Sequence, residues 1–187
     1  MTLAQAPVAR PSDLEIIVGL DEEGQRYRIG KLDAHIRNAR HLAISVFIWC
    51  GNRLLLQQRA DTKYHSGGLW ANSCCSHPRW DESPADCAKR RMVEELGFSV
   101  PLTPVGVTEY AAPVGSLFEN EVVHCFRGEA ARGTSFTFNP EEVQAIEWLT
   151  LDEIAADMQA RPGRYTPWFR IYVDRHRSPT EAFTLGG

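Results

Sequence analysis

The sequence predicts an α+β fold, an α/β/α sandwich built on a mixed sheet. Three observations carry this. Strand-like apolar runs outnumber helical ones. The runs follow one another without regular strand–helix alternation, which argues against a doubly wound parallel sheet. The 187-residue chain, 43% hydrophobic and 24% charged, is long enough for one substantial core. Residues 1–10 read as a flexible tail and 11–187 as a single domain.

The elements follow in order. Glu15–Leu20 and Tyr27–Gly30 read as short strands around a turn at Asp21–Gly24. Lys31–Arg40 is polar, with His35 inside it and His41 just beyond. Leu42–Cys50 reads as a strand apolar on both faces. Gly51-Asn52 is a tight turn, and Arg53–Gln58 returns as a second strand. Arg59–Leu69 is a loop rich in Lys, His and Gly. Pro84–Leu96 is the clearest helix, with Ser83 as N-cap, Pro84 at its first position and Gly97 as its stop. Val105–Tyr110 and Glu121–Arg127 read as strands joined by a loop through Pro113 and Gly115. Ala145–Leu149 is a further strand. Thr150 and Glu153 form a capping-box pattern opening a helix to Met158. Thr166-Pro167 opens a last helix reaching about His176.

Composition excludes several function classes. The net charge is −4, and no basic stripe suited to nucleic acid is present. No apolar run approaches the ~18 residues of a membrane span. Met1–Pro11 has one Arg and no apolar core, so it does not read as a signal peptide. The cysteines are Cys50, Cys74, Cys75, Cys87 and Cys125. An odd count without an even framework predicts reduced thiols in the cytoplasm. No heptad or apolar stripe is evident, so a monomer or weak homo-oligomer is expected.

Four constellations carry chemistry. The first is a partial Nudix signature, G-x5-E-x7-R-E-U-x-E-E-x-G-U, matched at Glu82, Arg90, Met92, Glu94, Glu95, Gly97 and Phe98. Ser76 replaces the first Gly and Arg91 the first Glu of the R-E pair. Carboxylates on one helix face are hard oxygen ligands for Mg2+ beside a diphosphate. Arg91 weakens a multi-metal site and adds a cation for phosphate. The alternative is a surface helix with an Arg91–Glu95 pair. The second is His35, His41, His77, Glu119 and Glu121, residue types that suit a divalent cation. Glu119 and Glu121 alternate, so on a strand they share a face; a solvated strand face is the plainer reading. The third is Cys75, two residues from His77. It is either a small core residue or an accessible thiol. Zinc on Cys74, Cys75 and His77 is disfavoured by their tight spacing. The fourth is Lys31, Arg59, Lys63 and Arg91, either scattered charges or phosphate contacts. Tyr110 and Trp168 are the aromatic candidates, or packing residues.

At these residues the chain resembles type I isopentenyl-diphosphate isomerase, a family of the Nudix superfamily. The motifs are His41-Leu-Ala-Ile-Ser-Val-Phe47, Leu69-Trp-Ala-Asn-Ser-Cys-Cys-Ser-His-Pro78, Arg90-Arg-Met-Val-Glu-Glu-Leu-Gly97, Glu119-Asn-Glu-Val122 and Thr166-Pro-Trp168. They span Lys31 to Trp168, and the resemblance implies a Nudix-type α/β/α sandwich. It also implies conversion of isopentenyl to dimethylallyl diphosphate through a tertiary carbocation. It assigns one proton to Glu121 with Tyr110, and the other to Cys75 across the substrate. Trp168 would face the cation. His35, His41, His77, Glu119 and Glu121 would hold Mn2+ or another divalent metal. Glu95 and the Cys75 carbonyl would serve Mg2+ on the diphosphate. Lys31, Arg59, Lys63, Ser76 and Arg91 match diphosphate-side positions. The N-terminal segment or the last helix would serve as a lid against water. The His35–His41 and Tyr110–Glu119 spacings are shorter than in some members. The alternatives are a Nudix hydrolase of a nucleoside diphosphate derivative and a non-catalytic diphosphate-binding regulator.

Overall fold

The computed structural model describes residues 15–175. The expected tail over 1–10, and His176 at the expected end of the last helix, lie outside the described residues. In chain order the elements are β1 (Ile16–Leu20), β2 (Arg26–Gly30), α1 (Lys31–Ile36), β3 (His41–Cys50), β4 (Arg53–Arg59), β5 (Trp70–Ala71) and β6 (Cys74–Ser76). They continue with α2 (Pro84–Leu96), β7 (Thr103–Val114), β8 (Leu117–Glu129), β9 (Val143–Leu149), α3 (Leu151–Ala160) and α4 (Pro167–Arg175).

The sheet is mixed, and β3 is its spine. Along one edge β3 runs parallel to β8, from His41↔Glu121 to Trp49↔Glu129. Along the other edge it meets three strands in turn, all antiparallel. β1 pairs at His41, β6 at Ile44–Val46, and β4 at Trp49 and Cys50. β7 extends the sheet beyond β8, while β5 and β9 pair with β4. A strand so enclosed is buried on both faces, which is why β3 reads as an unbroken apolar run.

The two faces of β3 feed different layers. Ile44, Val46 and Ile48 pack with Cys87, Ala88, Met92 and Leu96 of α2. Ala43, Phe47 and Trp49 pack with Ile154 of α3 and Trp168, Phe169 and Tyr172 of α4. Each fully buried Ile or Leu contributes roughly 2 kcal/mol. The result is the expected α+β sandwich, helix layers on both sides of a mixed sheet.

The caps explain the helix bounds. Ser83 Oγ accepts from Asp86 N at 3.1 Å, Pro84 follows it, and Gly97 ends α2 in the left-handed region at φ 61°. Thr150 and Glu153 form the full capping box of α3. Three features depart from the sequence reading. Lys31–Ile36 forms a short helix. Trp70–Ala71 and Cys74–Ser76 form small strands. The expected loop through Pro113 and Gly115 is a tight turn, with Val114 paired to Leu117 and Gly115 at φ 63°. Pro113 sits inside β7, which among the described residues pairs only with β8; an edge strand tolerates a residue lacking an N–H.

Candidate active site

Strand register builds the first part of the site. His41 on β3 lies beside Glu121 on β8, and Glu121 lies opposite Tyr110 on β7. Neighbours in register point to the same face, so three chemistry-bearing side chains form one row across the sheet. Tyr110 Oη donates to Glu121 Oε2 at 2.5 Å. Burial, then the Glu121 charge, holds the Tyr110 phenol well above its usual range. Glu119, two residues back on β8, shares that face.

Three histidines converge on this row. α1 carries His35, and the turn at Asn38, left-handed at φ 52°, returns the chain to His41. The turn accommodates the short spacing, since the His35 and His41 rings are 5.0 Å apart. β6 leads directly into His77, whose ring is 4.9 Å from His41. Ligand atoms of His35, His41, His77 and Glu119 all lie within 4.8 Å of one another. Glu121 borders that group, with Oε1 2.8 Å from His77 Nε2 and 3.6 Å from His41 Nε2.

The donor set fits a divalent cation. His35 Nδ1 meets Phe118 O at 2.9 Å and His41 Nδ1 meets Ala39 O at 2.7 Å. A carbonyl only accepts, so both Nδ1 atoms carry hydrogen and both Nε2 lone pairs point inward. His35 Nε2, His41 Nε2 and His77 Nδ1 are buried with no hydrogen-bond partner among the described residues. Burial, then the neighbouring imidazoles His77 and His41, lowers His35 to about 3. Burial lowers His77 to about 4, against the pull of Glu121. His35 and His77 are therefore neutral, the form that binds metal. Burial and the adjacent Glu121 charge raise Glu119; Glu121 is held well below the usual carboxylate range, its contacts with the His41 and His77 rings, a hydrogen bond from His77 Nε2 among them, outweighing burial.

The same cleft, about 510 Å³ including its open mouth, also carries cations. Lys31, Arg59, Lys63, Ser76 and Arg91 all line it. Arg91 is buried and binds Glu95 Oε1 through Nη2 at 2.7 Å, so the expected i,i+4 pair lies inside the cleft instead of on an exposed face. Gln57 Nε2 donates to Glu95 Oε2 at 3.0 Å, which engages both Glu95 oxygens. Glu142 binds Lys63 and lies 3.2 Å from Arg91 Nη2. Arg59 Nε is buried without an acceptor among the described residues. Its guanidinium sits 5.2 Å from the Trp168 ring centroid, in cation–π range.

Cys75 lines the same cleft. Its Sγ contacts Asn72 Oδ1 at 3.0 Å and Ser45 Oγ at 3.4 Å. Burial pushes the thiol up to about 12, so it is protonated at neutral pH. Cys74, next in sequence, points into the core against α2, as strand alternation requires.

The fourteen residues given roles by the resemblance fall on this cleft or its metal-ligand cluster; Glu82, Arg90 and Glu94 of the Nudix signature do not line it, and Arg90 pairs with both carboxylates instead. Five contributors were missed. His65 has Nε2 3.6 Å from Glu119 Oε1. Glu142 and Gln57 hold the cations and Glu95, and Ser45 and Asn72 hold Cys75. For Ser45 and Asn72 a sequence signal exists, since each lies inside a quoted motif, and His65 lies in the Arg59–Leu69 loop rich in Lys, His and Gly. Glu142 and Gln57 have none.

The NUDIX domain family matches residues 39–169. The chain is 51% identical over 157 residues to an isopentenyl-diphosphate Delta-isomerase of Dinoroseobacter shibae, covering 82% of this chain and 89% of that one. It is 50% identical over 150 residues to the protein of the same name from Jannaschia sp., covering 79% and 85%. A solved structure from Deinococcus radiodurans superposes at TM-score 0.71 and 16% identity, over 86% of this chain and 98% of that one. A MutT protein from Methanosarcina mazei gives 0.59 at 16% identity, over 74% and 93%. These two likenesses concern the fold alone.

Proposed function

The chain belongs to the isopentenyl-diphosphate isomerases of the Nudix superfamily, and we propose that it converts isopentenyl diphosphate to dimethylallyl diphosphate at this cleft. The observation that carries the reading is one cleft holding Cys75, the Tyr110–Glu121 pair and a cationic wall together. An alkene is a poor base, so a positioned proton donor is needed. One proton enters at the terminal methylene and another leaves the carbon on the diphosphate side, with a tertiary carbocation between. Tyr110 with Glu121 handles one proton and Cys75 the other. Trp168 offers its π-face to the cation, worth about 2 kcal/mol when desolvated. Lys31, Arg59, Lys63, Ser76 and Arg91 bind the diphosphate, and the unmatched Arg59 Nε–H suits a phosphate oxygen.

His35, His41, His77, Glu119 and Glu121 would hold Mn2+ or another divalent metal, and Glu95 with the Cys75 carbonyl a Mg2+. Such ions supply positive charge against the carboxylates and the diphosphate. Around them the protein keeps water from trapping the carbocation, with α4 as one wall. The substrate is a small isoprenoid diphosphate. No helix among the described residues is long and apolar enough to cross a membrane. We place the protein in the cytoplasm as a monomer or weak homo-oligomer, residues 11–187 forming one catalytic domain.

The test incubates purified protein with Mg2+ or Mn2+ and labelled isopentenyl diphosphate. An acid-labile allylic product is expected. No product with any divalent metal, or phosphate release from nucleoside diphosphate derivatives instead, would refute the isomerase reading.

A further inference from the structure

Three buried side chains outside the expected set determine how Cys75 presents its thiol. Asn72 is fully buried between β5 and β6. Its Nδ2 lies 3.1 Å from Val46 O and 3.3 Å from Cys74 O. Both are acceptors, so the amide nitrogen faces them and Oδ1 faces Cys75. An amide oxygen only accepts, so in the 3.0 Å contact Cys75 donates its S–H to Asn72. The sulfur's other neighbour, Ser45 Oγ at 3.4 Å, is then the donor in that contact. Ser45, its proton given to sulfur, accepts from Tyr172 Oη at 3.0 Å. The chain of hydrogen bonds therefore runs one way, from Tyr172 through Ser45 and Cys75 to Asn72.

The framework holds this direction. Ser45 is paired in register with Cys75 across β3 and β6. Ser45 and Tyr172 are each 2% exposed. The Tyr172 ring is wedged edge-on against Phe47 at 5.6 Å and Tyr110 at 5.9 Å. It lies one helical turn from Trp168 on the same face of α4.

We propose that Asn72, Ser45 and Tyr172 are positioning residues that aim the Cys75 S–H and hold its sulfur at the cleft wall, Tyr172 acting only through Ser45. This rests on Cys75 being a proton-transfer group. The arrangement serves both states of the sulfur. When the thiol carries its proton, Asn72 Oδ1 accepts the S–H hydrogen bond, and rotation about Cβ–Sγ turns the S–H toward the substrate carbon. When the proton has passed to a substrate carbon, the Ser45 O–H still stabilises the sulfur. Neither state needs a heavy atom to move, which is the benefit of preorganised dipoles.

Infrared spectroscopy reads the Cys75 S–H stretch, assigned by difference from Cys75→Ala. Ser45→Ala and Tyr172→Phe should each shift that band. Ser45→Ala should lower kcat about tenfold, the loss of one hydrogen bond to a sulfur that becomes charged, and Tyr172→Phe, which leaves the Ser45 O–H in place, should lower it by less, with KM little changed in both. In the Ser45→Ala background, Tyr172→Phe should add nothing to either readout. Bands that stay in place, or losses in kcat that multiply independently, would overturn the proposal. Cys75→Ala separates the two possible failures. Normal turnover there means Cys75 moves no proton and ends the catalytic role claimed for its neighbours. Abolished turnover with unmoved bands condemns the hydrogen-bond chain alone.

Discussion

Glu142→Gln removes the carboxylate that binds both Lys63 and Arg91 across the cleft. The side chains of Lys63, Glu142 and Arg91 are only 10%, 12% and 9% exposed, so solvent screens the cluster weakly. Burial alone would raise Glu142. The Arg91 guanidinium and Lys63 ammonium overcome it and lower the group from 4.5 to about 2. A folded value below the unfolded one means the group stabilises the protein above the unfolded value, and that stability disappears as pH falls toward the folded one. At 1.36 kcal/mol per pH unit, the difference is worth about 3 kcal/mol at pH 7 and about half that at pH 3. Urea unfolding of the wild-type protein and Glu142→Gln, at several pH values from 7 to 3, measures it. The variant should be about 3 kcal/mol less stable at pH 7, with the gap narrowing toward acid. Equal stability at pH 7, or a gap that does not change with pH, would show that Glu142 is not the counter-ion of these cations.

The remaining predictions concern the helix, the metal cluster and the diphosphate. Ser83→Ala removes the α2 N-cap and should cost about 1 kcal/mol in urea unfolding, with isomerase kinetics nearly unchanged. Because His35 and His41 point lone pairs at one another's neighbourhood, added Mn2+ should raise the melting temperature of the wild-type protein. His41→Ala should abolish that rise, and a wild-type-sized rise in the variant would place the metal elsewhere. Arg59→Gln should raise KM for isopentenyl diphosphate at least tenfold, the loss of a charge-assisted contact worth about 1.5–3 kcal/mol. An unchanged KM would remove Arg59 from the diphosphate site.

The parts of the fold legible in the sequence are those with local chemistry. The bounds of α2 follow from Ser83, Pro84 and Gly97, each acting on its own turn. β3 is legible because a strand enclosed on both faces is apolar throughout. α1 was not: its six residues have no side-chain cap, and a helix that short takes its stability from packing and not from its own residues. β5 and β6 have two and three residues, too few for a period to show. At the site, residues inside the Cys-Cys-Ser-His-Pro and Glu-Asn-Glu-Val motifs were readable through the family resemblance. Glu142 reaches Lys63 from 79 residues away, and Tyr172 reaches Ser45 from 127. No periodicity or short motif encodes pairings at that distance; the sheet register and the docking of α4 create them.

The central claim is that Cys75 and the Tyr110–Glu121 pair move protons onto and off one alkene. Turnover in deuterated water tests it most directly. Wild-type protein should place deuterium in the methyl group formed from the terminal methylene. Cys75→Ala and Glu121→Gln, folded by circular dichroism, should yield neither product nor label. Product from the wild-type protein without solvent deuterium, or near-normal labelling in either variant, would contradict it.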